Sequence, residues 1–389
     1  MKLISVIVLT SFLFILQNAS EENILERRKR NIIVKGGPPY PHFPDSIMYY
    51  VSDDITQKLI VHPLINLEWR ICVNFEKQNF EVNGIGINFY SSNTTDKVIL
   101  SKSIDQPTRV YLTKKTLQNL RLVRYHIGVA LGLTPEITRF DRDKYVKILW
   151  ENIDKSYMSY FKQSNLNKKR IFNTAFDFGS IMLFDPYFGT KNGKPVYSSK
   201  ISPYYEQMAG KFEDFSYNDI KILNDLYCNG LCKKDKVLCV NNGYLSSSCK
   251  SCTCPLVFSG PTCKNLAIHD NGCGPKKIFF ASKKKQYIMG NSFKGNCFWS
   301  IYSRKLTSLE IVVEKMSYQP KYEFDEKDGL EIRHLFDKGT TGLILRGNYT
   351  NVRVRPISSN VILRYKAPFK YHELKISYRE VKKNKLTLT

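Results

Sequence analysis

The chain has 389 residues, and its 59 Lys and Arg against 35 Asp and Glu give a formal net charge of +24. At about 150 residues per domain, this length predicts two or three domains. After the first 20 residues no apolar stretch is long enough to cross a bilayer, which argues against a membrane anchor.

The first twenty residues have the pattern of a secretory signal peptide. Lys2 precedes an apolar run from Ile4 to Leu16, and the small residues Ala19 and Ser20 follow it. The apolar run is too short for a membrane span. We therefore expect a secreted, extracellular protein that lacks residues 1–20 when mature.

A dibasic run, Arg27 to Arg30, stands just after the signal peptide. Its position favours processing after Arg30 over a solvated charge run, so residues 21–30 would form a short propeptide. Asn93 and Asn348 each begin an N-x-T sequence and are predicted glycosylation sites.

The cysteines indicate a small cross-linked module between two larger units. Ten cysteines in a secreted chain predict five disulfides. Cys72 stands alone, seven cysteines crowd between Cys228 and Cys263, and Cys273 and Cys297 complete the set. A zinc ribbon is the competing interpretation of the crowded cysteines, but secretion and the lack of C-x-x-C at both ends favour disulfides.

The first large unit reads as mixed α and β structure. Ile47–Val51 and residues 84–90 have the pattern of strands. Apolar residues recur at helical spacing from Leu117 to Leu131, with Gly132 as a C-cap and Pro135 beyond it.

This predicted helix has the frame of a zinc-protease helix without its ligands. The signature is H-E-x-x-H-x-x-G-x-x-H. With Gly132 on its glycine, Tyr125, Val129 and Pro135 replace the three histidines, and His126 replaces the general-base glutamate. Valine and proline side chains have no lone pair to give, and tyrosine ligates only as a phenolate. No other register restores the site, because the nearest two of the six histidines are 20 residues apart.

A second motif, FGSIMLF at residues 178–184, has the pattern of the Met-turn that lies beneath such a zinc site. Met182 is kept. Phe184 stands where a tyrosine hydroxyl is expected, so the ring is retained and its polar group is lost.

The flanking residues and both motifs make residues 31–228 resemble the astacin family of secreted zinc endopeptidases, with the catalytic residues degenerate. The resemblance implies an α+β, two-lobed metzincin domain and a Cys72–Cys228 disulfide. It also implies that Glu136 meets the new N-terminus, Asn31, in a structural role. The family's second disulfide is missing, which predicts a looser upper sheet. No cofactor is predicted; zinc would be the cofactor if the family activity were retained.

Residues 229–263 resemble an epidermal-growth-factor-like (EGF-like) module, from CVNNGY at residues 239–244 and CTCP at 252–255. This resemblance implies three disulfides: Cys232–Cys249, Cys239–Cys252 and Cys254–Cys263.

Residues 264–389 resemble a CUB domain, an antiparallel β-sandwich, from NCFWSI at 296–301 and DGLEI at 328–332. The resemblance implies a Cys273–Cys297 disulfide. Calcium-binding CUB domains use a glutamate and two aspartates. Glu323 and Asp328 match two of these, but Lys366 and Ala367 stand where the last aspartate is expected, so calcium binding is not predicted.

The charge points to partners outside the cell. Residues 264–389 hold 25 Lys and Arg against 11 Asp and Glu. In a secreted protein such a field favours polyanions such as sulfated glycans or anionic membrane surfaces, and nucleic acid is not expected. The alternative is that the charge serves only solubility.

Three functions are compatible with the sequence. The first is a non-catalytic protein that binds or regulates extracellular peptides and proteins through the old cleft. The second is an active zinc endopeptidase with atypical ligands. The third is an extracellular-matrix adhesion protein.

Overall fold

The computed structural model describes residues 46–383, except residues 104, 165–172, 229–230, 233–236, 292, 294, 305, 319–327 and 368–372. The predicted signal peptide, the processing site at Arg30, the predicted N-terminus at Asn31 and the calcium candidate Glu323 lie outside the described residues. The domain boundaries at residues 31, 229 and 264 remain predictions.

A five-stranded sheet forms the start of the described chain. Its order is β2-β1-β3-β5-β4, and all neighbours are parallel except β4, which runs antiparallel to β5. β4 stands last in this order, so among the described residues its outer edge pairs with no strand. The strands are β1 Ile47–Val51, β2 Phe75–Lys77, β3 Ile87–Ser92, β4 Lys97–Ile99 and β5 Thr108–Thr113.

Four helices accompany this sheet: α1 Lys58–Glu68, α2 Lys114–Leu117, α3 Leu120–Ala130 and α4 Tyr217–Tyr227. The predicted single helix from Leu117 to Leu131 was wrong at its start. Asn119 has an extended backbone, and its side chain accepts a hydrogen bond from the Leu122 N–H, so it caps α3 and separates it from α2. A two-stranded sheet, β6 Val146–Ile148 with β7 Tyr197–Ser199, lies between α3 and α4.

Two devices tie the first unit together. Cys72 and Cys228 form a disulfide that joins the end of α1 to the end of α4. The second is the Asn88 side chain, which both donates to the Val82 carbonyl and accepts from the Val82 N–H, each at 3.0 Å. A buried amide thus holds the loop before β3.

The cysteine-rich segment contains two short hairpins and three disulfides. The hairpins are β8 Tyr244–Leu245 with β9 Cys252–Thr253, and β10 Phe258–Ser259 with β11 Asn265–Leu266. Cys232 pairs with Cys249, Cys239 with Cys252, and Cys254 with Cys263, which are the pairs that the resemblance implies.

The C-terminal unit consists of two sheets that pack face to face. One has the order β12-β14-β19-β16-β17 and the other β13-β20-β15-β18. Alternate residues of β15, such as Leu309, Ile311 and Val313, are buried between them, and the Cys273–Cys297 disulfide closes one end. The strands are β12 Ile278–Phe280, β13 Gln286–Asn291, β14 Gly295–Tyr302, β15 Thr307–Ser317, β16 Gly329–Arg333, β17 Leu343–Leu345, β18 Tyr349–Val354, β19 Asn360–Ala367 and β20 Glu373–Lys382.

The sandwich docks on the first unit through the loop between β16 and β17. The Asp337 carboxylate accepts hydrogen bonds from the Ala175 N–H at 2.8 Å and the Asn218 amide at 3.0 Å. The Thr341 N–H donates to the Asp177 carboxylate at 3.1 Å. These contacts reach the segment that carries the Met-turn, so the two units support each other at that point.

One contact of this interface predicts acid sensitivity. His334 is buried, with Nε2 3.1 Å from the Tyr205 hydroxyl and Nδ1 3.1 Å from the Arg355 carbonyl oxygen. Burial lowers the pKa of His334 from 6.5 to about 4. The unfolded chain therefore binds a proton between these values and the folded chain does not. Stability should fall as pH drops from 6.5 to 4, by on the order of 3 kcal/mol.

Thermal unfolding across this pH range checks the expectation, with His334→Gln as the control that cannot titrate. The native protein should lose stability more steeply than the variant as the pH falls. Parallel profiles for the two proteins would contradict it.

The expected mixture of helix and sheet, held by five disulfides, is present. Within the described part of the chain, no helix is both long and apolar enough to cross a membrane.

Candidate functional site

Helix α3 forms the floor of the candidate site, and both of its ends are specified by sequence. Asn119 caps its start, as described above. At its end the Gly132 N–H donates to the Val129 carbonyl and the Leu133 N–H donates to the Gly128 carbonyl, each at 2.9 Å. Gly132 has φ +95°, so this is a Schellman turn that favours glycine at that position. The predicted C-cap is thus where the sequence placed it.

The residues at the three predicted ligand positions differ in burial. Tyr125 is buried and Val129 is half-buried, one turn apart on the same side of α3. Pro135 is half-buried just before a single 3₁₀ turn at residues 136–138. Burial raises the pKa of the Tyr125 hydroxyl, which disfavours the phenolate that a metal would need.

His126, at the position of the general base, is bonded to its own helix. Its Nδ1 lies 2.7 Å from the Leu122 carbonyl oxygen, and the ring is half-buried. Burial lowers the pKa of His126, so the ring is neutral at pH 7. His126 is thus a partly exposed polar residue that is hydrogen-bonded within its own helix.

Aromatic rings fill the space above Tyr125. We call Tyr125, Tyr157, Tyr160, Phe184 and Phe188 the aromatic cluster. Phe184 stacks on Phe188 with 4.2 Å between ring centroids and lies 5.1 Å from the ring of Tyr125. Tyr160 meets both phenylalanines edge-on, at 6.2 and 5.6 Å. Phe184 therefore serves as a packing element of this cluster.

The Met-turn lies directly under α3. A Cβ on Gly128 would stand 2.8 Å from the Met182 sulfur, so the helix needs glycine there to sit on the methionine. The Glu136 N–H donates to the Met182 carbonyl at 3.0 Å and fixes the turn to the segment after α3. Met182 is buried, in the packing position expected for it.

Two charged side chains hold the Met-turn in place. The Arg121 guanidinium donates to the carbonyl oxygens of Phe212 at 3.0 Å and Leu183 at 2.6 Å. The buried Asp219 carboxylate accepts from the Ser180 hydroxyl at 2.6 Å and the Ile181 N–H at 3.2 Å. It also closes a capping box with Ser216 at the start of α4. Sequence reasoning missed both residues, although the S-x-x-D spacing of the capping box was a readable signal for Asp219.

Glu136 lies in a buried group of charges. Its carboxylate accepts from the Asp177 N–H at 3.1 Å and lies 3.7 Å from the Arg139 guanidinium. Burial raises the pKa of Glu136 to about 8, helped by the nearby Asp177 and Asp219 and opposed by Arg139. The three carboxyl groups outnumber the one guanidinium. A further positive charge, such as an ammonium, would therefore be stabilised here. Its expected partner, Asn31, lies outside the described residues.

The donor set does not fit a catalytic zinc. Such a site needs three N, O or S ligands and an open position for water. At the three positions only Tyr125 carries a donor, and its hydroxyl is held protonated by burial. No group of three His, Cys, Asp or Glu side chains in the described residues is placed to hold a metal ion. The calcium candidate Asp328 already pairs with the Lys366 ammonium at 3.3 Å.

Comparison with known proteins finds similarity to one family of peptidases. Residues 41–228 match the family model described as Astacin, a peptidase family. The chain is 33% identical over 161 residues to zinc metalloproteinase nas-34 of Caenorhabditis elegans, covering 41% of this chain and 26% of that one. It is 28% identical over 251 residues to zinc metalloproteinase nas-36 of Brugia malayi, covering 62% and 42%. The chain thus spans less than half the length of these relatives.

Two solved structures are also similar. High choriolytic enzyme 1, a hatching enzyme zinc-protease from the medaka fish Oryzias latipes, matches 47% of this chain and 89% of its own, with 24% identity and a TM-score of 0.42. The CUB1-EGF-CUB2 domain of human MASP-1/3 matches 37% and 49%, with 13% identity and a TM-score of 0.24. Both TM-scores are below 0.5, so these structures support no assignment. What the comparisons show is an astacin-like domain at residues 41–228 and similarity to nematode zinc metalloproteinases.

Proposed function

We propose that this chain is a secreted, catalytically inactive member of the astacin family. It would bind extended peptides or proteins in the cleft where active relatives bind their substrates. The observation that carries the proposal is the donor set: Tyr125, Val129 and Pro135 stand at the predicted ligand positions, and the Tyr125 ring packs against Phe184 in the aromatic cluster. Without an activated water, a bound peptide would be held and not cut.

The sheet of the first unit offers an edge that supports the proposed peptide binding. β4 is the edge strand of its sheet, and its outer N–H and C=O groups have no strand beside them among the described residues. An extended peptide can add to such an edge by main-chain hydrogen bonds. Tyr157 and Tyr160 leave more than a third of their surface exposed beside Phe184 and offer apolar contact to its side chains.

The other units support an extracellular binding role. We propose that residues 229–263 and 264–389 are EGF-like and CUB modules that add adhesion, and that the basic C-terminal unit attracts polyanions. The predicted glycosylation sites, Asn93 and Asn348, both have exposed side chains. A matrix adhesion protein that does not use the cleft is the second candidate, favoured by the size and charge of the C-terminal unit. An active endopeptidase with atypical ligands is disfavoured by the donor set.

A binding measurement with two matched variants separates the first two candidates. The probe is fluorescein-labelled, reduced casein as an unfolded chain, followed by fluorescence polarisation. Tyr160→Ala should weaken binding about threefold to tenfold, because it removes an exposed ring beside the cleft. Tyr287→Ala, which removes an exposed tyrosine on the sandwich, should leave binding unchanged.

Loss of binding in Tyr287→Ala alone would favour adhesion through the sandwich and would refute a role for the cleft. Mass spectrometry of the same mixtures tests inactivity. Intact casein is the expected result, and cleavage that a zinc chelator stops would overturn the proposal.

A further inference from the structure

One end of the C-terminal sandwich exposes apolar and basic side chains together. We call this surface the sandwich tip and define it by Phe280, Lys283, Lys284, Leu306, Lys382 and Lys383. All six side chains are exposed. The proposed role of the cleft makes no use of this surface.

Backbone contacts bring these residues to the same end. Phe280 pairs with Tyr302 as β12 ends, and the Ala281 N–H donates to the Tyr302 carbonyl at 2.7 Å. We call the loop that carries Lys283 and Lys284 the lysine loop. The Glu380 N–H donates to the Ser282 carbonyl at 2.8 Å, which ties this loop to β20.

The β14–β15 turn and the end of β20 also meet at this end of the sandwich. Thr307, next to Leu306, pairs with Lys382 near the end of β20. Arg304 forms an ion pair with Glu380 across the same turn. The lysine loop, the β14–β15 turn and the end of β20 therefore form one continuous surface.

The apolar part of the tip is unusually open. Leu306 is 87% exposed and Phe280 is 73% exposed. Leu306 also has φ +67°, in the left-handed region that a leucine rarely adopts. A large aliphatic side chain in this conformation contributes nothing to packing within the described chain, and a polar residue or glycine would suit the turn better.

The charge of the tip is positive. Glu380 is the acid that the contacts above bring to this end, and the Arg304 guanidinium binds it through two hydrogen bonds from Nε, at 3.1 and 3.0 Å. Lys283 lies near enough to Glu380 to help lower the pKa of that carboxyl. Lys284 and Lys382 form no ion pair with any described carboxylate, and Lys383 lies over the Phe336 ring at 5.5 Å. The field at this end therefore favours an anionic partner.

We propose that the sandwich tip docks the protein on an anionic lipid membrane. The lysines would lie at the phosphate and carboxylate groups of the lipids, while Leu306 and Phe280 enter the boundary between headgroups and acyl chains. A sulfated glycan would also attract the lysines, but it has no apolar layer that could bury an exposed aliphatic side chain. The pairing of apolar and basic residues at one tip selects the membrane over the glycan.

Sedimentation of the full chain with vesicles tests the proposal. The protein should bind phosphatidylcholine vesicles that contain about 30% phosphatidylserine, and bind pure phosphatidylcholine weakly. Lys283→Glu/Lys284→Glu should reduce vesicle binding by at least about thirtyfold, since each basic residue near the surface contributes substantially. Lys114→Glu/Lys115→Glu, an exposed lysine pair on α2, is the matched charge control and should bind like the native protein.

Leu306→Ser separates the two anionic partners. It should weaken vesicle binding by roughly tenfold and leave retention on heparin unchanged, because only the membrane offers an apolar layer. The proposal fails if both tip variants bind vesicles like the native protein. It also fails if the lysine variant loses heparin binding while no form of the protein binds vesicles, since the tip would then be a glycan site.

Discussion

Replacing Tyr125, Val129 and Pro135 with histidine is expected to raise the zinc content from near zero to about one ion per molecule. The first two positions lie one turn apart on the same side of α3, as in a zinc-protease helix. The Schellman turn at Gly132 and the Glu136–Met182 backbone bond fix the segment that carries the third position. The backbone that would carry the ligands is retained, and only the ligand side chains are absent.

Elemental mass spectrometry after dialysis measures this gain. The control is Tyr125→Ala/Val129→Ala/Pro135→Ala, which opens the same space without adding ligands and should stay near zero. If the histidine variant also fails to bind zinc while it remains folded, the aromatic cluster has altered the site beyond the loss of its ligands. The claim that the backbone of the zinc site is retained would then be wrong.

Asp219→Ala is expected to be the most destabilising single change near the site. The carboxylate accepts from the Ser180 hydroxyl and from the N–H groups of Ile181 and Ser216. Its removal leaves three donors without their acceptor, two of them in the Met-turn. A cost of about 3–5 kcal/mol follows, since each unsatisfied buried group costs roughly 1–3 kcal/mol.

Thermal unfolding should show this cost as a decrease in Tm of roughly 10 °C. Asp225→Ala on the same helix is the matched control, because the described residues give Asp225 no hydrogen bond of this kind, and it should change stability by less than about 1 kcal/mol. Equal melting temperatures for the two variants would show that the Asp219 network is not what holds the Met-turn.

The parts of the fold that depend on local pattern were predicted from sequence. Gly132 is the clearest case, because a helix that ends before a glycine and a nearby proline has few alternatives. The separation of α2 from α3 was missed because the apolar spacing continues across the break. The hydrogen bond from the Leu122 N–H to the Asn119 side chain marks the start of α3 and separates it from α2.

The disulfide pairs were predicted by resemblance, but the tertiary contacts that no motif signals were not predicted. Tyr160 and Phe188 follow Tyr125 by 35 and 63 positions, and nothing in their local sequence indicates that they meet above it. The docking of the Asp337 loop on Ala175 and Asn218 was equally invisible, since it joins segments more than 100 residues apart.

Packing explains how the scaffold would persist in a protein that had lost its catalytic residues. Met182, Gly128 and Phe184 are packing residues, and changing any of them would leave a cavity or a clash in the core. The ligand positions at 129 and 135 are only half-buried, so an apolar residue there costs the fold little. Stability therefore constrains the frame more tightly than the ligands.

The zinc content of the native chain tests the central claim most directly. Purified, processed protein is dialysed against excess zinc and then against buffer, and its metal is measured by elemental mass spectrometry. A value near zero per molecule is predicted, because Tyr125, Val129 and Pro135 cannot replace three ligands. A value near one would contradict the claim, and would mean that other residues build a metal site in this domain.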